Sequence, residues 1–331
     1  MSRSSNGDWA IRGGVLLLLL VTGWTVGTLV RSPKANAWPV KRPDKPRLRV
    51  LTTIFPLYDF TREIGGADVE VRNLLPPGVD PHEFALSPRD IELVDGADLL
   101  IANGGGLDHF LTEAIQKASL KPKLNPIVCS KGLEMLAGHE EHDHAEHVGE
   151  ESGDPHLWLD PVFAQHYAGV IASSLSDEMD RRGDSEAASR IRARFADFDR
   201  RLVELDSEFR AKLSNVQVRS FIAFHGAFAY LAARYGLGPV GVWQTTPGRD
   251  PGPREVGELL KLAKKGSARA LFSEPQFSPR ALEMIARDAH LPVYSLDPME
   301  TALSFDEKHY IPVMQANLKT LVKALGGGQA R

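Results

Sequence analysis

The sequence predicts an α/β protein of two lobes, each built on a mainly parallel sheet, with a long helical connection between them. Three observations predict it. Short apolar, β-rich runs alternate with amphipathic segments from Leu48 to Cys129. Two long helical stripes then take over between Asp160 and Phe209. The alternation resumes from Ser220 to Leu296. Strand–helix alternation is the mark of a parallel α/β sheet, and 331 residues are enough for two units with a core each.

Each element has its own signal. Leu48–Thr53 is a short β-rich run, and Pro56 suits the first turn of a helix that Gly65-Gly66 stops. Val69–Leu75 is a second strand, ended by Pro76-Pro77-Gly78. Ser87 caps a helix with Pro88 at its first position. A third strand (Ala97–Ala102), a helix (Leu107–Ala118) and a short fourth strand (Pro126–Cys129) complete the first lobe. Asp160-Pro161 opens a helix with Phe163, Tyr167, Val170, Ile171 and Leu175 along one face, ending at Gly183. A second long helix repeats Ile191, Phe195, Phe198, Leu202, Leu205 and Phe209 at intervals of three and four, a stripe that reads as core packing. The second lobe follows: strand Ser220–Phe224, helix Ala227–Tyr235, strand Ala270–Ser273, helix Pro279–Ala289 and strand Pro292–Leu296.

Composition narrows the function. A formal net charge of −4 argues against a nucleic-acid partner held by a basic surface. The single cysteine, Cys129, excludes an internal disulfide and any multi-cysteine zinc site. Metal chemistry here must rest on nitrogen and oxygen. Near the N-terminus, Arg3 and Arg12 precede an apolar run from Gly13 to Val30, and Ala35-Asn36-Ala37 is an A-x-A cleavage pattern. Residues 1–37 are therefore a signal peptide or an uncleaved membrane anchor, and both readings place the body outside the cytoplasm. No cysteine near the cleavage region offers a lipid attachment point. Residues 38–47, with three prolines and four basic residues, read as an extended tether.

The chemistry concentrates in histidines. Four of the eleven, His139, His142, His144 and His147, fall within nine residues and alternate with carboxylates. No core needs such a segment, and it offers many ligand atoms to a borderline divalent cation; the plain alternative is a solvated acidic loop. Elsewhere His82 follows the second strand, His225 follows Phe221–Phe224, and Asp297 follows Pro292–Leu296. Ligands of open α/β sheets gather outside the carboxyl ends of strands, so a shared site between the lobes is geometrically natural. Asp80-Pro81-His82 and Asp154-Pro155-His156 repeat one motif in which proline stiffens the loop that presents the imidazole. Asp297 likewise precedes Pro298. His109, His166, His290 and His309 have no comparable setting and read as surface or structural.

Five segments carry a family resemblance: Thr53-Ile54-Phe55-Pro56-Leu57-Tyr58, Pro81–Asp90, Asp154–Pro161, Phe224-His225-Gly226-Ala227-Phe228 and Ser273-Glu274-Pro275-Gln276-Phe277. In this order they resemble the metal-binding receptors of ABC importers for zinc and manganese. The resemblance implies a first lobe over 48–160 with its His-rich loop at 138–150, a rigid linking helix over 161–182, a second lobe over 183–331, and a metal clamped in the cleft. His82 and His156 match the family's first two ligands, and Asp297 matches its carboxylate position. At the third position zinc receptors resemble this chain in having histidine, His225, where manganese receptors usually have glutamate. The resemblance also allows water or a different carboxylate in the fourth place, and it marks Glu274 as a candidate to orient a ligand imidazole, beside a plain structural role. Many zinc receptors have His-Asp where this chain has His225-Gly226.

Donor chemistry agrees with zinc over manganese, because three imidazoles and one carboxylate make a nitrogen-rich tetrahedral set. The expected function is a zinc receptor, not an enzyme, that captures Zn²⁺ and delivers it to a membrane permease. The His-rich loop would serve as a low-affinity collector and the protein as a monomer. The alternatives are a manganese receptor of the same family, a metal buffer or adhesion protein on the same fold, and a zinc hydrolase; the chain lacks H-E-x-x-H and an evident general base for the last. Zinc affinity is expected to fall as pH drops through about 6.5.

Overall fold

The computed structural model describes residues 38, 47–111, 125–137, 153–244, 252–265, 268–276, 280–302, 304–305 and 308–326. Both sheets lie in one unit, Asn36–Arg331. The segment read as a signal or anchor, the tether other than Trp38 and Arg47, most of the helix expected over Leu107–Ala118, and the His-rich loop with His139, His142, His144 and His147 lie outside the described residues.

The first sheet takes strands β1 (Leu48–Thr52), β2 (Val69–Asn73), β3 (Leu99–Ala102) and β4 (Ile127–Val128), all parallel, in the order β2-β1-β3-β4. Helices α1 (Phe55–Gly65) and α2 (Pro88–Gly96) belong to it, each with a proline in its first turn. Asp90 of α2 reaches back to accept the Ser87 N–H at 2.8 Å. The second sheet repeats the topology: β5 (Ser220–His225), β6 (Gly238–Gln244), β7 (Leu271–Ser273) and β8 (Val293–Ser295), parallel, in the order β6-β5-β7-β8. In both sheets the central strand comes first and the order reverses beside it, which opens a crevice at the carboxyl ends.

Between the sheets run α3 (Pro161–Arg181) and α4 (Ser185–Leu213). The 21 residues of α3 span about 32 Å at 1.5 Å per residue. Asp160 caps α3 by accepting from Val162 N, while its other oxygen takes Arg234 at 2.7 Å. Gly183, at φ 77°, turns the chain, and Asp184 caps α4. The second lobe adds α5 (Ala229–Tyr235), α6 (Pro253–Lys264), α7 (Arg280–Ala289) and α8 (Tyr310–Leu325).

Strand β6 and helices α6 and α8 are not among the elements read from the sequence. β6 opens Gly-Pro-Val-Gly, which reads as a turn; it holds as a strand because it is the sheet edge, where Pro239 needs no ladder partner. In α8 the apparent breaker, Pro312, sits in the first turn, where its missing N–H costs nothing.

Alternation along the strands divides the core. Leu48 and Val50 of β1, Ile101 of β3, Phe221 and Ala223 of β5 and Phe272 of β7 face inward into a cluster that also takes α1, α3, α4 and α8. Leu51, Leu100 and Ala102 face outward onto α2, and Ile222, Phe224 and Leu271 outward onto α6 and α7. One apolar core thus runs through both lobes. Phe60 of α1 marks its seam, meeting Phe198 of α4 (5.3 Å between ring centroids) and Tyr310 of α8 (4.8 Å) edge-on. Asp59 seals the same seam: its buried carboxylate accepts the Tyr310 N–H at 2.7 Å and Arg62 at 3.0 Å. Among the described residues no helix is long and apolar enough to cross a membrane.

Phe60→Ala should cost about 3–5 kcal/mol of stability, the range for emptying a buried aromatic site. Urea unfolding checks it, and a loss below about 1 kcal/mol would mean the seam does not hold the lobes together.

Candidate metal centre

Three loops with one local design meet in the cleft. In Asp80-Pro81-His82 the Asp80 Oδ1 accepts the His82 N–H at 2.9 Å, and in Asp154-Pro155-His156 the Asp154 Oδ1 accepts the His156 N–H at 3.0 Å. In Asp297-Pro298-Met299 the Asp297 Oδ1 accepts the Met299 N–H at 2.8 Å. Each is an Asx turn, in which an aspartate closes the chain over a proline of fixed φ. The aspartate is the fastener, and the residue it presents lies beyond it.

His82, His156, His225 and Glu300 come together, each offering one atom, with all four atoms within 4.8 Å of one another. Glu300 Oε1 is the focus: His156 Nε2 lies at 2.8 Å, His225 Nε2 at 3.1 Å and His82 Nε2 at 3.6 Å. His225 is the last residue of β5, and Glu300 follows β8, so the second lobe supplies its pair from two strand ends. His82 follows β2, and His156 stands just before α3.

Asp297 does not join them. Its carboxylate takes Lys308 Nζ at 2.9 and 2.8 Å, and its backbone N–H and C=O pair with the Asn317 side chain at 2.9 and 2.8 Å. The expectation that placed Asp297 in the set is corrected to Glu300, three residues on. The sequence signal was present: in the two Asp-Pro-His motifs the aspartate is the turn former, and the same reading of Asp297-Pro298 would have looked past it. Met299, at φ 60°, then swings Glu300 into the cleft.

Carboxylates set the imidazoles. Asp154 Oδ1 takes His156 Nδ1 at 2.8 Å, and Glu274 Oε1 takes His225 Nδ1 at 2.6 Å. With Nδ1–H donated outward, both Nε2 atoms face the centre, the tautomer that binds a metal. Glu274 is the residue expected from sequence as a candidate for orienting a ligand imidazole, and its contact is with His225 Nδ1. Asn103, just past β3, holds the His156 loop by donating to Pro155 O at 2.9 Å, and Tyr167 Oη donates back to Asn103 at 3.0 Å. Trp158 Nε1 donates to Pro298 O at 2.8 Å and so ties the His156 loop to the Glu300 loop across the cleft.

Burial works against charge throughout this centre. It would lower the His156 pKa, but Asp154 and Glu300 more than offset it and bring the group to about 9. His225 behaves alike: burial opposes the charge, and Glu274 and Glu300 raise it well above the ordinary imidazole value. Glu300 is pushed up by burial yet held well below the usual carboxylate range by His225, His156 and His82. Burial raises Glu274, which His225 only partly counters. The His156 and His225 Nε2 atoms lie 3.2 Å apart, a distance that admits one proton between them and not two facing N–H groups. The centre is thus built around an anion that needs either a proton or a cation beside it.

Asp154→Asn should lower the His156 titration in metal-free protein from about 9 toward the ordinary imidazole range. NMR of the ring protons follows it, and an unmoved midpoint would show that Asp154 does not set the basicity of His156.

A family model described as "Zinc-uptake complex component A periplasmic" matches residues 50–324. Over 292 residues the chain is 30% identical to "Zinc-binding protein AdcA" of Streptococcus pyogenes serotype M6, with 83% of this chain aligned and 55% of that protein. This chain therefore spans little more than half the length of that relative. It is also 30% identical to "High-affinity zinc uptake system protein ZnuA" of Bacillus subtilis, over 84% of this chain and 88% of that protein. Among solved structures, Zn(II)-bound AdcA from Streptococcus pneumoniae is 26% identical with a TM-score of 0.71, covering 85% of this chain and 58% of the other. The chain belongs to the zinc-uptake complex component A family.

Proposed function

We propose that this protein is the zinc receptor of an ABC importer, binding one Zn²⁺ through His82, His156, His225 and Glu300. The observation that carries it is the convergence of three Nε2 atoms and one carboxylate oxygen within 4.8 Å. Three nitrogens and one oxygen suit tetrahedral zinc, whereas manganese prefers more oxygen and higher coordination. Two names among the relatives, zinc-binding and high-affinity zinc uptake, support the same cation. Glu300 takes the fourth position that a zinc hydrolase leaves to water, which favours capture over catalysis.

Delivery to a membrane permease, an extracytoplasmic location and a collecting role for His139, His142, His144 and His147 belong to this reading. The apolar N-terminal run and the A-x-A pattern support export. The chain enters the cleft at His156 only nine residues after His147, which supports transfer from loop to cleft. The aligned relatives include a named component of a zinc uptake system, which supports the permease.

A competitive titration of metal-free protein with Zn²⁺ and Mn²⁺ tests the assignment. One tight zinc equivalent that excess manganese does not displace is expected; manganese preference, or no tight site, would overturn it. His225→Ala should weaken zinc binding by at least about a hundredfold, since it removes a ligand and strands Glu274. Asp297→Ala should leave the affinity within about tenfold while lowering stability, because its carboxylate is spent on Lys308 and the Met299 N–H and not on the metal centre.

Zinc must displace the protons that the raised imidazole pKa values hold. These groups are charged below their folded pKa, so affinity should fall as pH drops, and the fall should already begin near 9 rather than at 6.5. Proton release on zinc binding at pH 8, read by calorimetry in buffers of different ionisation enthalpy, checks it. Affinity flat between pH 9 and 7 would contradict it.

A further inference from the structure

Two buried carboxylates of the centre share one partner, the exposed residue Gln276. Glu274 is 3% exposed and Glu300 2%. Glu274 gives Oε1 to His225 Nδ1 and Oε2 to Gln276 Nε2, at 2.6 and 2.8 Å. Glu300 turns Oε1 toward the three imidazoles, and its Oε2 lies 3.4 Å from the same Gln276 nitrogen. A primary amide has two N–H groups, one for each carboxylate. Both partners are acceptors, so it is the nitrogen of Gln276, not its oxygen, that faces them. Gln276 lies two residues beyond Glu274 on the turn leaving β7, so one strand end places both.

We propose that Gln276 is a positioning residue that restricts Glu300 to a single metal-facing oxygen, and so sets the preference for a four-coordinate cation over one that takes more oxygen ligands. The inference rests on the zinc-receptor reading and concerns how the same centre discriminates. A carboxylate that swings to bind through both oxygens takes the centre from four donors to five. Zinc is satisfied by four; manganese gains from the fifth and from the added oxygen. Engaging Oε2 with a neutral N–H denies that fifth donor, and the amide hydrogens supply no lone pair in its place. A specificity device of this kind works by making the wrong partner's preferred geometry unavailable.

The test uses the full chain, metal-free, as wild type, Gln276→Ala and Gln276→Glu, with circular dichroism to confirm folding. Cobalt(II) reports the coordination number, because four-coordinate Co²⁺ absorbs far more strongly in the visible than five-coordinate Co²⁺. Wild type should show the intense four-coordinate spectrum and one tight zinc equivalent. Gln276→Ala should still bind one zinc, with affinity reduced by less than about tenfold, while the zinc-to-manganese affinity ratio falls by about tenfold or more and the cobalt bands weaken. Gln276→Glu, similar in size but without the donor, should weaken the bands too; it keeps the test decisive if the alanine variant fails to fold. A wild-type cobalt spectrum with an unchanged zinc-to-manganese ratio in a folded variant would overturn the proposal. So would complete loss of tight zinc binding in folded Gln276→Ala, which would make the residue necessary for the site rather than for its selectivity. Failure of the wild type itself to take tight zinc would instead strike the zinc-receptor reading.

Discussion

Everything in the cleft answers to one buried anion. Glu300 is nearly sealed from water, and a carboxylate there is sustained only by positive charge brought to it. The protein brings three imidazoles, and their own outer nitrogens are steadied by Asp154 and Glu274. Those carboxylates in turn need rigid backing, supplied by Asx turns, Asn103 and the Trp158 bridge. The arrangement is costly for a protein holding only itself together. It becomes favourable when a cation replaces the shared proton, so the geometry suits the holding of a cation better than the packing of a core.

Two kinds of mount carry the donors. The sheets of the two lobes share one strand order; His82, His156 and Glu300 stand at or just past Asp-Pro turns, whereas His225 comes directly from a strand end. A turn can be re-aimed by one residue; a strand end is fixed by the ladder. Three donors on turns around one fixed by a strand let the set be tuned without disturbing the central strand.

Much of this was legible in the sequence, and the limits have physical causes. Every strand of the two sheets but β6, the long helix pair and its Gly183 turn follow from periodicity and from cap residues whose chemistry is local. The three histidines stood out because each sits at a strand end or an Asp-Pro turn. Glu300 did not, since the Asp-Pro turn before it puts Met299, not Glu300, in the place that the histidines take in the other two turns. Asp297 drew attention for a genuine local reason, its turn, but its carboxylate is consumed by Lys308, eleven residues further on. β6 and α8 were hidden by Pro239 and Pro312, which break elements in mid-run but not at a sheet edge or in a first helical turn.

The last helix has a bearing on when the molecule can become whole. α8 lies against α1 and α4, and its first N–H is accepted by Asp59, 251 residues earlier in the chain. During synthesis the first lobe therefore waits, its Phe60 seam open and Asp59 without its helix, until α8 has been made. A chain with this topology closes its core only when its two most distant helices meet, so the order of its elements sets when the fold can be completed.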